Sequence, residues 1–537
     1  MGIYINPGYQ GFAQICRGEY IDKTGLIQMM NERIDGPDNL VCVSRPRRFG
    51  KSYAAKMLTA YYDCSCDSHV LFDDKKISES DDFQKHLNQY NVICLDITSF
   101  ISEARAQNRS LREVPAGIEK AVKKELASLG CVDAESDSLN DCLVRFVEKS
   151  DGKKVVFIID EWDAMIREAK NDETAQQAYL NLLRGWFKNI SITPKVVAAA
   201  YMTGILPIKK DGSQSAISDF EEFSMLRPGP FGEYVGFLEE EVEALCVKHG
   251  MDFLSMKHWY DGYTFRNVKS VYNPNSVMKA IRNAVLDSYW TETSAAEGLM
   301  SYISMDYHGL TKTIAELIGG VEVPVHITGF ANDLTTFRGK DDVLTLMIHL
   351  GYLSYHSEKK TVRIPNEEIR LEFQRSIHEV KHEETLKRLA QSEQLFADTI
   401  REKEDAVAAC IEKVHAEETA PLHYNREDSL RSVIKLAYYT YRDHYLQFEE
   451  IPAGEGVADI VYLPLYDSDW PALVVELKWN QSAEGAIEQI LKKKYPDVLK
   501  NIDSPILLVG ITYEKDAPSG EKKHKCRIMR LAESSRI

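Results

Sequence analysis

No run of apolar residues in this 537-residue chain approaches the roughly 20 that a bilayer-crossing helix needs, so a membrane-spanning segment is not expected. The start, Met-Gly-Ile-Tyr-Ile-Asn-Pro, lacks both the basic opening and the apolar stretch of a secretory signal, and a cytoplasmic protein is expected. Positive charge is also short: 65 Lys and Arg stand against 82 Asp and Glu, a net charge of −17. This excludes a protein that coats nucleic acid by bulk charge. A local basic groove is still possible, because charges beyond a Debye length of about 8 Å are largely screened. Ten cysteines are present, but Cys64 and Cys66 are the only close pair and have no second pair nearby. That spacing does not suit a zinc cluster, and free thiols in a reducing compartment are expected. Internal repeats and low-complexity tracts are absent.

The chain contains the makings of several cores. Its composition, 44% hydrophobic and 27% charged, is that of a globular protein. The length fits three folding units and a connector: 1–205, 206–375, 376–421 and 422–537. In the first, apolar runs of four to eight residues alternate with helical periods. Strands are expected at Leu40–Ser44, Val92–Ile97, Val155–Asp160 and Lys195–Thr203. Helices are expected at Lys51–Tyr62, Leu111–Leu129, Leu139–Lys149 and Ala175–Asn189. This is the pattern of a buried parallel sheet. From about residue 206 the chain becomes mostly helical, and a small hairpin between Gly351 and Asn366 closes the segment as a winged helix would. Charged helix is expected over 376–421. The tail reads as a helix (Ser429–Tyr445), strands at Phe448–Ile451, Ala458–Leu463 and Ala472–Leu477, a helix through Ala486–Lys494, and a strand at Pro505–Thr512.

Two groups of residues carry chemistry. In the first, the apolar strand Leu40–Ser44 runs into Arg45-Pro-Arg-Arg-Phe-Gly-Lys-Ser52 and then a helix. That layout cradles phosphates on backbone N–H groups, extends a Lys to the β- and γ-phosphates and places a Ser hydroxyl on Mg²⁺. The expected nucleotide ligands are Arg47, Arg48, Phe49, Gly50, Lys51, Ser52 and Tyr53. The usual first Gly is Arg45 here, so the loop has a different shape, and three Arg residues add charge beside a triphosphate. Downstream, the strand Val155–Asp160 ends in two acids. Asp160 would bind Mg²⁺ together with Ser52, and Glu161 would polarise the attacking water. Thr203 either contacts the γ-phosphate or water, or is a polar strand end. Asp163 is either a supporting group or a helix cap. Arg184 and Arg227 are arginine-finger candidates.

The second group lies in the tail. Glu476 and Lys478 share one face of a strand, with Leu477 opposite. Paired as a hairpin, the strands bring Asp459 beside Glu476. Two carboxylates in an apolar setting resist joint ionisation, and a divalent cation, Mg²⁺ or Mn²⁺, relieves them. Lys478 would then orient or deprotonate water for phosphodiester hydrolysis. Gln489 on the next helix would point into the site, with Tyr495 just beyond it. An upstream acid, Glu427 or Asp428, would join, although Asp428 also suits a helix cap. Lys492-Lys-Lys494 and Lys522-Lys-His-Lys-Cys-Arg527 are basic runs able to track nucleic acid.

The strings Tyr20-Ile-Asp-Lys-Thr24, Ser44-Arg-Pro-Arg-Arg-Phe-Gly-Lys-Ser52, Trp259-Tyr-Asp-Gly-Tyr263, Tyr272-Asn-Pro274 and Ile364-Pro-Asn-Glu-Glu-Ile-Arg370 resemble bacterial AAA-ATPase-like proteins. The tail is similar to the PD-(D/E)XK nuclease superfamily, with Ala458-Asp459 where that superfamily commonly has Pro-Asp. The resemblance implies an α/β chain: a P-loop NTPase domain with a parallel sheet, a helical lid with a winged-helix-like part, and a C-terminal α/β nuclease-like domain. It implies an ATPase using ATP and Mg²⁺, with nucleic acid as partner, a homo-oligomer, and by analogy a part in defence against mobile elements. The competing expectation is a nucleotide-dependent switch whose tail binds nucleic acid or protein without cutting.

Overall fold

The computed structural model describes residues 2–132, 137–208, 217–265, 268, 270–290, 309–330, 337–379, 383–418, 434, 437–438, 445–453, 456–464, 470–492, 504–514 and 523–531. The chain divides into two compact units, Met1–Ala295 with Pro324–Ile369, and Ala296–Val323 with Arg370–Ile537. Segment 1–205 and much of 206–375 therefore share the first unit, and 376–421 joins 422–537 in the second.

The first unit is built on strands β1 (Leu40–Ser44), β2 (Asn91–Asp96), β3 (Val155–Asp160), β4 (Val197–Gly204) and β5 (Glu221–Phe223). Their order is β2-β3-β4-β1-β5 and every pairing is parallel. β1 and β4 are buried at every position, and β3 at all but its last. That pattern reflects a sheet covered on both faces, which is why these strands read as unbroken apolar runs. Ile93, Leu95, Phe157, Ile159 and Met202 pack with Ile118, Leu143, Phe146, Leu183 and Trp186 from the covering helices. Each such burial contributes about 1.5–3 kcal/mol. Local signals set the helix starts: Asp96, Ser138 and Asp172 each accept a backbone N–H of the turn that follows. The strand expected from Lys195 begins only at Val197, because Thr193–Val196 forms a helical turn with Pro194 near its start.

Beyond β5, β6 (Phe237–Leu238) pairs with β7 (Val271–Tyr272), and helices Glu239–His249, Phe253–Tyr260 and Pro274–Asn283 pack around them. After the two-residue strand β8 (Val323–Pro324) come the helix Lys340–Leu350 and an antiparallel hairpin of β9 (Ser354–His356) and β10 (Thr361–Arg363).

The second unit carries β11 (Tyr445–Ala453), β12 (Gly456–Pro464), β13 (Ala472–Trp479), β14 (Ile506–Tyr513) and β15 (His524–Arg530), in that order. Only β13 and β14 run parallel, and the helix Ala483–Lys492 lies in the crossover between them. The expected connector is part of this core. Leu395 and Phe396 from Glu383–Ile400, and Val407, Ile411 and Val414 from Glu404–Glu418, pack with Ile460, Leu473, Val509 and Ile528. The helix expected over Ser429–Tyr445 lies largely outside the described residues, as do Glu427, Asp428, Lys493, Lys494, Tyr495 and Lys522.

Candidate functional site

Three strand ends meet at the first site. β4 separates β1 from β3, and the parallel order puts the phosphate loop, Thr203 and Asp160-Glu161 at the same carboxyl edge of the sheet. Arg48 and Gly50 take positive φ in the loop, +68° and +94°. Arg45 does not face a phosphate. It is fully buried; its Nη1 donates to the Ser44 and Phe223 carbonyls (2.9 and 3.0 Å), and the guanidinium sits 5.1 Å from the Phe265 ring centre. Burial lowers its pKa to about 10. The expectation of three loop arginines beside a triphosphate therefore reduces to two, Arg47 and Arg48, because Arg45 anchors the loop to β5. Phe49 is also buried, edge-on to Tyr263 at 5.2 Å, which leaves its backbone as the part able to meet a ligand. Ser52 and Tyr53 are exposed in the first turn of the helix Lys51–Tyr62.

Lys51 is 4% exposed and is turned onto its own loop. Its Nζ donates to the carbonyls of Arg45 (3.1 Å) and Pro46 (2.8 Å) and lies 3.6 Å from Glu161 Oε1. Burial pushes its pKa down, and Glu161 and Asp160 pull it back up. The Asp160 carboxyl is pushed up to about 6, first by burial and further by Glu161, while the Ser52 hydroxyl and Lys51 work the other way. Thr203 is fully buried, and its Oγ1 has no hydrogen-bond partner.

Glu161 holds a left-handed backbone, φ +53°, which costs a non-glycine residue about 1–2 kcal/mol. Arg167 holds its side chain: Nη2 donates to Glu161 Oε2 and Nε to Asp163 Oδ2 at 2.9 Å. Burial opposes the Arg167 charge, but Asp163 and Glu161 outweigh it and raise the pKa. Asp163 stands at the N-cap of the helix Ala164–Glu168 but does not cap it. Its Oδ2 instead accepts from Ile205 N (3.2 Å) and Leu206 N (2.8 Å), tying the β3 end to the β4 end. Arg184 and Arg227 are exposed, and Arg167 is the arginine in contact with this site. The sequence signal for Arg167 was its i,i+4 spacing from Asp163.

The motifs between residues 259 and 353 form a collar on the loop. Tyr263, whose ring packs on Phe49, donates from its hydroxyl to the Gly351 carbonyl at 2.6 Å. Gly351 has φ +88°, and a Cβ there would lie 2.7 Å from Pro46 Cβ. Only glycine fits against the loop proline at that angle.

In the second unit, Ile460 pairs with Val475, so Asp459 stands opposite Glu476 one step along the ladder. Asp459 Oδ2 accepts from Leu477 N at 2.8 Å. Glu476 is 2% exposed, and its Oε1 accepts from Lys478 Nζ (3.2 Å) and from Gln489 Nε2. Leu477 points into the opposite core. The helix carrying Gln489 reaches the sheet because residue 510 is glycine: a Cβ there would meet the Ala483 carbonyl at 2.6 Å. Among the described residues no group of three or more His, Cys, Asp or Glu side chains could hold a metal. The expected basic run near residue 525 is largely strand β15, with Lys525 and Arg527 on its outer face and Arg530 exposed at its end. Lys525 pairs with Glu514 (3.1 Å), Arg527 with Glu404 (3.0 Å) and Arg530 with Glu402 (2.9 Å), so protein carboxylates already meet that charge.

Residues 7–213 match the family described as Predicted AAA-ATPase. That span contains Lys51, Asp160, Glu161 and Thr203, and this part of the chain is similar to that family. Over 303 residues the chain is 22% identical to "Uncharacterized protein in vnfD 5'region" of Azotobacter chroococcum mcd 1, an alignment covering 55% of each protein. The chain thus spans about half the length of that relative. A solved structure of the Aeropyrum pernix ORC2 protein, in ADPNP-ADP complexes, overlaps 66% of this chain and 94% of that one. The identity is 11% and the TM-score 0.24, an overlap too loose to carry an argument. Among the described residues no helix is long and apolar enough to cross a membrane.

Proposed function

We propose that the chain binds and hydrolyses ATP in its first unit and that its second unit is a metal-dependent nuclease acting on DNA or RNA. The ATPase half rests on the family match and on Lys51, Asp160 and Glu161 lying together, with Nζ 3.6 Å from Glu161 Oε1. The Ser52 hydroxyl, near enough to lower the Asp160 pKa, and the half-buried Asp160 carboxylate are an all-oxygen donor pair that suits Mg²⁺. When bound, the ion neutralises charge across the β- and γ-phosphates. Lys51 must leave the Arg45 and Pro46 carbonyls to reach a γ-phosphate. Glu161 must loosen from Arg167 to accept a proton from water, and Arg167 keeps it within reach. Thr203 Oγ1, buried and unbonded, is a donor for the same phosphate or water.

The single observation that carries the nuclease half is that Lys478 and Gln489 bond buried Glu476 while the ladder register places Asp459 opposite it. Asp459 and Glu476 would hold the cation through oxygen, and the ion supplies Lewis acidity to the scissile phosphate. Lys478 orients or deprotonates the attacking water, and Gln489 fixes the Glu476 carboxylate. A second reading, a slow nucleotide switch whose tail binds without cutting, is favoured by Lys51 and Glu161 both being tied to internal partners. Plasmid, single-stranded DNA and RNA incubated with Mg²⁺ or Mn²⁺, with and without ATP, separate the two. Cleavage that Lys478→Ala abolishes supports the nuclease. No cleavage under any divalent ion, with strong nucleotide stabilisation against heat, supports the switch.

A further inference from the structure

The loop arginines open on a second, small recess. Arg47 and Arg48 line it with Tyr289 and Trp290 on one side, and with Asn273, Asn275 and Ser276 from the start of the helix Pro274–Asn283 on the other. That helix is ten residues long, and the positive end of its dipole favours negative charge. Asn273 Oδ1 caps it by accepting from Asn275 N at 3.0 Å. Ser276 is fully buried, and its Oγ has no hydrogen-bond partner. Asn275 Nδ2 is likewise sealed from solvent without an acceptor. A buried polar group left unbonded costs about 1–3 kcal/mol. Two unbonded donors and a helix N-terminus share one need, an acceptor-rich anion, and two guanidiniums line the same recess.

We propose that this recess is an oxyanion site taking a phosphate group, held by Arg47, Arg48, Asn275 Nδ2 and Ser276 Oγ beside the cradle of Gly50–Ser52. Closed, it has room for about one water, roughly 10 Å³. Arg48 Nη1 meets the Tyr289 carbonyl across it at 3.5 Å, a long and weak bond, and admitting a phosphate takes a swing of that side chain. The site does not require the ATPase reading, and its phosphate is either free or the nucleotide's own.

Titration calorimetry of the full chain with inorganic phosphate, without metal, tests it. Lys51→Ala weakens the main cradle, and phosphate binding that Ser276→Ala further weakens in that variant lies in the recess, since Ser276 is outside the loop. The Lys51→Ala chain is expected to bind phosphate. Adding Ser276→Ala or Arg48→Gln should weaken it about 10-fold or more, with Arg48→Lys falling between. Circular dichroism melts verify that each variant folds. In the wild-type chain, phosphate displaced by saturating ATP marks the nucleotide's own group, and phosphate that stays marks a free one; both uphold the site. A Lys51→Ala chain that binds no phosphate, or binds it equally well with Ser276→Ala and Arg48→Gln, leaves the recess a water pocket and overturns the inference. ATP binding by the wild-type chain, measured in parallel, tests the nucleotide reading separately.

Discussion

The two units use the same three ingredients, a pair of acids and a lysine, in opposite states of readiness. In the second unit Glu476 and Lys478 come from one strand, Asp459 from its neighbour, and Gln489 already clamps Glu476. The ladder register fixes that geometry, so little has to move. In the first unit the groups come from two strand ends and a loop. Lys51 bonds its own loop and Glu161 bonds Arg167. A site built within a sheet is set by folding, and a site built at loop and strand ends leaves work for the ligand to do.

The largest test exchanges the lysines. Lys51→Ala should lower ATP hydrolysis about 100- to 1,000-fold and spare metal-dependent cleavage assayed without ATP, and Lys478→Ala should do the reverse. Phosphate release and a fluorescent-substrate assay read each; a variant that kills both would merge the two sites. Next come the clamps. Arg167→Ala leaves fully buried Asp163 without its cation and should cost about 3–5 kcal/mol in urea unfolding of the first unit. Gln489→Ala removes one hydrogen bond to a carboxylate, and a cost above about 3 kcal/mol would contradict the ready-made picture. Gly351→Ala should cost about 1–3 kcal/mol and displace Pro46, weakening ATP binding in the same calorimetry.

The smallest test is pH. Burial, then His415 and Lys523, depress the His524 pKa to about 3. His524 stays neutral in the fold while the unfolded chain protonates near 6.5, so its contribution is present above 6.5 and is lost as pH falls toward 3, by at most about 1.4 kcal/mol per unit. In the first unit buried His349, also near 3, acts in the same direction. Asp160, raised to about 6, acts in the opposite direction: its contribution is full below its unfolded value near 3.8 and is lost as pH rises through 6. Between pH 6 and 4 the second unit should therefore loosen first by hydrogen exchange, and His524→Gln should flatten that slope. Equal loosening of both units would count against the assignment.

The first unit's sheet could be read from sequence because strands buried on both faces are continuous apolar runs; β1, β3 and the helices Lys51–Tyr62 and Leu139–Lys149 lie where expected. β15 escaped notice because His524, Cys526 and Ile528 face inward while lysine and arginine alternate outward, so an edge strand looked like a basic tract. The helices over 383–418 looked like a solvated connector because a few apolar residues on one face, Phe396 and Ile411 among them, are enough to seat them in the core. Glu476 and Lys478 could be placed on one face from the period of two in a strand, with Asp459 expected beside them from hairpin pairing and Gln489 from the helix that follows. Arg167 and the turned-in Arg45 could not, since each depends on what three-dimensional packing leaves unsatisfied.

The left-handed peptide at residue 161 sets two demands against each other. Glycine enters that region freely, so Glu161→Gly would relax the backbone while removing the carboxylate proposed to activate water. On the proposed reading such a chain would be idle and able to hold ATP uncleaved, its relaxed backbone set against the lost pairs to Lys51 and Arg167, and a nucleotide recovered intact from it would show the first unit bound before reaction.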